Sequence, residues 1–112
     1  MSKFDDKVAQ YQKFMDNKGL KYSADELRAV TKGLGPSIYK RDAETVSGSD
    51  AKELLTVKKN FLMKKLGLDD SPKLDGAIEK VMDAIGKSER SKYRAVVYYM
   101  LMKEFKKESV YK

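Results

Sequence analysis

The chain has 112 residues, a formal charge of +7, no histidine and no cysteine, with 41% hydrophobic and 37% charged residues. That length holds one domain with one modest core. The missing residue types exclude a disulfide framework, a zinc site built on nitrogen or sulfur, and the commonest general base. The longest apolar run, Ala95 to Met102, has eight residues, against roughly 18 for a membrane span. The opening Met1-Ser2-Lys3-Phe4-Asp5-Asp6 lacks the apolar core of a signal peptide. The expected setting is the cytoplasm of a bacterial cell, with no membrane association.

In chain order, Phe4, Val8, Tyr11, Phe14 and Met15 recur at helical spacing, and Gly19 is the natural stop. Ser23 and Glu26 form a capping-box pattern that starts a second helix, with Leu27, Val30 and Leu34 on one face. Gly33, Gly35 and Pro36 end it. Residues 36–49 are polar and rich in helix breakers, so they read mostly as one long loop. So long a connection in a small domain is either functional or pinned by its own apolar residues, here Ile38, Tyr39 and Val46.

Asp50 and Glu53 repeat the capping pattern and open a third helix, whose inner stripe is Leu54, Val57, Phe61, Leu62 and Leu66. Gly67 stops it. Ser71-Pro72 opens a fourth helix, Leu74 through Ile85, which Gly86 stops. Ser88 is placed to cap a fifth, running through Tyr93, Val96, Met100 and Phe105. Its centre is apolar almost all round, as in a helix at the middle of a domain or half-buried in a partner. The expected fold is therefore all-α: a compact single-domain bundle of about five helices over residues 1–112.

No catalytic, cofactor or metal signature stands. Gly86-Lys87-Ser88 resembles the end of a phosphate-binding loop, but position 81 is valine where the motif needs glycine, and a helix precedes it. Asp69, Asp70 and Asp75 lack the spacing of a calcium loop and suit a helix start. Ser47-Gly48-Ser49-Asp50 leads into a helix N-terminus, where Asp50 supplies its own negative charge.

The charge is uneven. Residues 51–68 carry five positive groups and one negative, residues 69–86 two against five, and residues 87–112 eight against three. Lys58, Lys59, Lys64, Lys65, Arg90 and Lys92 are the candidate phosphate contacts, if helices 51–66 and 88–108 lie side by side. Tyr98, Tyr99 and Met102 exceed what one core face requires and are the candidate self-association surface.

The segments Gly33-Leu34-Gly35-Pro36-Ser37-Ile38-Tyr39, Thr45-Val46-Ser47-Gly48-Ser49-Asp50, Asn60-Phe61-Leu62 to Leu68, and Lys92-Tyr93-Arg94-Ala95-Val96 with Tyr98-Tyr99 carry a resemblance. The chain resembles a family of small uncharacterised bacterial proteins, a domain of unknown function of about this length. The likeness covers roughly residues 20 to 112 and implies a compact helical protein without an assigned activity. The expected function is a non-enzymatic interaction module, acting through a protein partner or a homodimer. The alternative is a nucleic-acid-associated protein.

Overall fold

The computed structural model describes residues 3–111; Met1, Ser2 and Lys112 lie outside the described residues. Helix α1 is Lys3–Asn17 and α2 is Ala24–Leu34. A 3-10 turn over Gly35–Tyr39 and a single helical turn, α3, over Arg41–Glu44 follow. Helix α4, Ala51–Thr56, continues without a break into a π-helix, Val57–Lys65. Helices α5, Pro72–Ile85, and α6, Arg94–Glu104, complete the bundle, and a last 3-10 turn covers Glu108–Tyr111. The all-α bundle of about five main helices is what the periodicity predicts. Among the described residues, no helix is long and apolar enough to cross a membrane.

The predicted helix signals act, though not as closed capping boxes. The Ser23 hydroxyl accepts from the Glu26 backbone N–H, while the Glu26 carboxylate turns away to Lys103. Asp50 accepts from the Lys52 N–H at 2.9 Å, and Glu53 goes instead to Arg94. In both cases the glutamate that would close the box locally makes a tertiary ion pair.

Three expectations change. The first is the long loop, half of which is helical. Ile38 is buried, and the Ser37 hydroxyl donates to the Leu34 carbonyl, which satisfies the end of α2 and winds residues 35–39 into a turn. Residues 45–47 stay non-helical and lead into a turn at 48–49, anchored by a Thr45–Tyr93 bridge and by the Val46 N–H donating to the Lys92 carbonyl at 2.8 Å.

That pairing bears on the second change. Lys92 and Tyr93 are tied to Val46 and Thr45, so α6 begins at Arg94, and Ser88, in a turn at residues 87–88, does not cap it.

The third concerns self-association. Tyr98, Tyr99 and Met102 are buried within the single chain, because α1, α2, α3 and α5 surround α6. Tyr98 stacks on Phe61 with ring centroids 4.0 Å apart. The Tyr99 hydroxyl accepts from the Ser23 N–H at 2.8 Å. The all-round apolar helix is the centre of the domain, and these three side chains are spent on packing within the chain.

The end of the chain closes over α2. Lys106 turns it with a positive φ of 54°, and the Lys107 N–H donates back to the Met102 carbonyl. Tyr111 then lies against Gly33 so closely that a β-carbon there would meet its ring at 3.0 Å. Burial of this phenol pushes its pKa up to about 12.

A candidate partner-binding cleft between α4 and α5

A cleft of about 910 Å³ runs between the 45–49 segment and α4 on one side and α5 on the other, closed at one end by the 87–92 turn. Its floor is apolar. Leu54 and Leu55 come from the first turns of α4, and Ile78 and Met82 from consecutive turns of α5. Ile78 and Met82 are buried, as the stripe on α5 predicts, whereas Leu55 remains 48% exposed. Among the described residues, Leu55 and Tyr39 are the exposed large hydrophobic side chains.

The walls are braced by polar side chains, of which Lys92 is buried. Lys92 is only 4% exposed, and its ammonium donates to the Lys87 carbonyl at 3.1 Å and to the Glu89 carbonyl. A buried ammonium must keep such partners, and here they fold the 87–92 turn around it. The Lys92 stem passes under Gly48, where a β-carbon would come within 3.1 Å of it. Glycine at 48 thus lets the turn at residues 48–49 cross the lysine.

Arg94 secures the opposite side. Its guanidinium donates to the Ala43 carbonyl at 2.8 Å, to the Tyr98 hydroxyl at 3.0 Å and to the Glu53 carboxylate. Three donors in a planar fork tie α3, α4 and α6 together. A second brace stands behind this region. The Tyr11 hydroxyl and the Lys7 ammonium both reach Glu44, and burial, with the adjacent carboxylate, raises the Tyr11 pKa. The lip at Glu89 is pinned as well. The Lys18 ammonium, 2.8 Å away, and the Ser91 N–H hold its carboxyl below the usual range.

The candidate phosphate contacts do not form one surface. Lys92 is consumed by carbonyls, as above. Lys58 is clamped between Asp70 at 2.7 Å and Asp75 at 3.1 Å, and these hydrogen-bonded carboxylates raise its pKa. Lys59 and Lys64 are exposed on the π-helix, Lys65 places its ammonium over the Tyr111 ring, and Arg90 lines the cleft. Asp69, Asp70 and Asp75 do not gather into a metal-holding group among the described residues; two of them share a lysine instead.

What sequence reasoning missed at this site is Leu55, which falls outside the inner stripe of its helix. The residue was visible as a second leucine beside Leu54, next to the 45–49 segment. Also available in the sequence was the spacing of Asp75, Glu79 and Asp83, which places three carboxylates on one face of α5 at the cleft rim.

No curated protein matches the chain. Residues 10–109 match the family described as "Protein of unknown function (DUF2853)", and the chain belongs to that family.

Proposed function

We propose that the protein is a non-enzymatic helical module that binds a segment of a protein partner in the cleft between α4 and α5, in the cytoplasm. The observation that carries this reading is Leu55, half exposed at the mouth of a cleft whose floor is Leu54, Ile78 and Met82. Apolar clefts with polar rims are where partner side chains anchor. Catalysis is the weaker reading. Among the described residues, no hydrogen bond joins Ser47, Ser49 or Ser88 to a base that would activate it. The nucleic-acid alternative keeps Lys59, Lys64, Lys65 and Arg90, but loses Lys58 to its ion pairs and Lys92 to burial.

The test places a photo-crosslinking amino acid at Leu55 and, in a second protein, at Tyr39, the other exposed large hydrophobic. A discrete protein adduct from position 55, absent from position 39 and lost when Ile78→Asp is added, is the expected result. Equal adducts from both positions, or none from position 55, would refute the cleft as the binding site.

A further inference from the structure

The cleft has the opposite charge to the rest of the molecule. Glu53, Asp75, Glu79, Asp83 and Glu89 line it against Lys87, Arg90 and Lys92, five carboxylates facing three cations, on a chain whose net charge is +7. Part of this lining is already occupied within the fold: Glu53 by Arg94, Glu89 by Lys18, and Lys92 by two carbonyls. What still faces the opening is the row Asp75, Glu79 and Asp83, one carboxylate per turn of α5, extending about 12 Å.

The members of this row differ in how far they are neutralised. Asp75 shares Lys58 with Asp70, and Asp83 meets Lys87 at 3.5 Å through an exposed pair one helical turn away. The Asp83–Lys87 pair is exposed and contributes little, and Asp70 and Asp75 share a single ammonium, so that trio keeps a net negative charge; Asp75 and Asp83 can therefore each take a new cation. Glu79, between them, is exposed and makes no ion pair among the described residues. Lys87 and Arg90 sit beyond the C-terminal end of α5, so incoming cations are favoured over the Asp75–Glu79 half of the wall.

Resting on the partner-segment reading above, we infer that the occupant of the cleft is a cationic amphipathic segment. Its apolar side chains rest on Leu54, Leu55, Ile78 and Met82, and its lysine or arginine side chains lie along Asp75, Glu79 and Asp83. On a chain whose net charge is +7, this acidic row favours such a segment over an acidic one.

The experiment uses two synthetic peptides of about 12 residues, long enough as helices to span the carboxylate row. Both carry leucine at helical spacing. The remaining positions are lysine in one and glutamate in the other. Each is titrated into isotope-labelled full-length protein while backbone amide shifts are followed. The lysine peptide should shift amides in segments 47–55 and 75–83 saturably, and its affinity should fall as salt rises. Glu79→Lys should weaken it about tenfold, with the melting temperature unchanged, because the residue is exposed on the rim. If the glutamate peptide binds the same amides as tightly, or Glu79→Lys has no effect, the cationic assignment falls while the cleft stands as a binding site. If neither peptide shifts those amides, both the assignment and the cleft reading fall.

Discussion

Replacing Phe61 by alanine removes a ring that is 2% exposed, stacked on Tyr98 at 4.0 Å with an interplanar angle of 14°. Deleting a buried aromatic costs about 3–5 kcal/mol, from lost transfer energy and the cavity left behind. Here the upper half of that range is expected. The stacked pair adds about 0.5–1.5 kcal/mol beyond burial, and Tyr98 in turn supports the Arg94 guanidinium with its hydroxyl. Against about 5–15 kcal/mol for a whole domain, a loss of about 4 kcal/mol is severe. At about 4 °C per kcal/mol for a chain of this size, the melting temperature should drop by about 15 °C. Urea denaturation followed by circular dichroism measures the change. Phe61→Leu, which keeps most of the volume, should cost much less, about 1.5 kcal/mol or under. A loss below about 1 kcal/mol for Phe61→Ala would refute the packing of the π-helix against α6.

Three further outcomes are expected. Tyr99→Phe removes the acceptor of the Ser23 N–H at the start of α2 and should cost about 1–3 kcal/mol, with no change in oligomeric state by light scattering. Gly33→Ala pushes a β-carbon against Tyr111, so the end of the chain should lift. Its phenol should then return from about 12 toward about 10, seen by ultraviolet titration against a Tyr111→Phe reference; an unmoved titration would show that the ring adapts in place. Glu89 has a depressed pKa, so its contribution is present above its unfolded value of about 4.3 and lost as pH falls through the lower folded value. Melting temperatures should therefore fall less steeply for Glu89→Gln than for the wild type across that acid window, and parallel curves would contradict the Lys18 contact.

Helix positions were legible because their signals are local. Ser23 and Asp50 start helices, glycines 19, 67 and 86 stop them, and the apolar stripes on α1, α2 and α5 follow the helical period. What the sequence hid depends on contacts far apart in the chain. Nothing local marks Val57–Lys65 as a π-helix, because a five-residue hydrogen-bonded ring is chosen by what its side chains must reach. The start of α6 was misplaced because Thr45 and Val46, nearly fifty residues away, pair with Tyr93 and Lys92 and keep them out of the helix. The surplus of apolar residues on α6 looked like an interface because its covering neighbours could not be counted from spacing alone. The cleft was half legible. The loop over residues 36–49 reads from sequence as functional or pinned, but the opposing wall on α5 emerges only from the packing.

The π-helix has a consequence for how this chain can change its length. A ring closed from residue i to i+5 encloses one residue more than an α-helical ring, so the segment behaves as an α-helix carrying a surplus residue. Losing one residue from its exposed side, at Asn60 for instance, lets the rings close as ordinary α-turns while Val57 and Leu66 keep their places in the core. The same deletion inside α5 would rotate every later side chain by about 100° and turn Ile85 out of the core. Length variation among related chains is therefore expected to concentrate in Val57–Lys65, a place where a helix would otherwise forbid it.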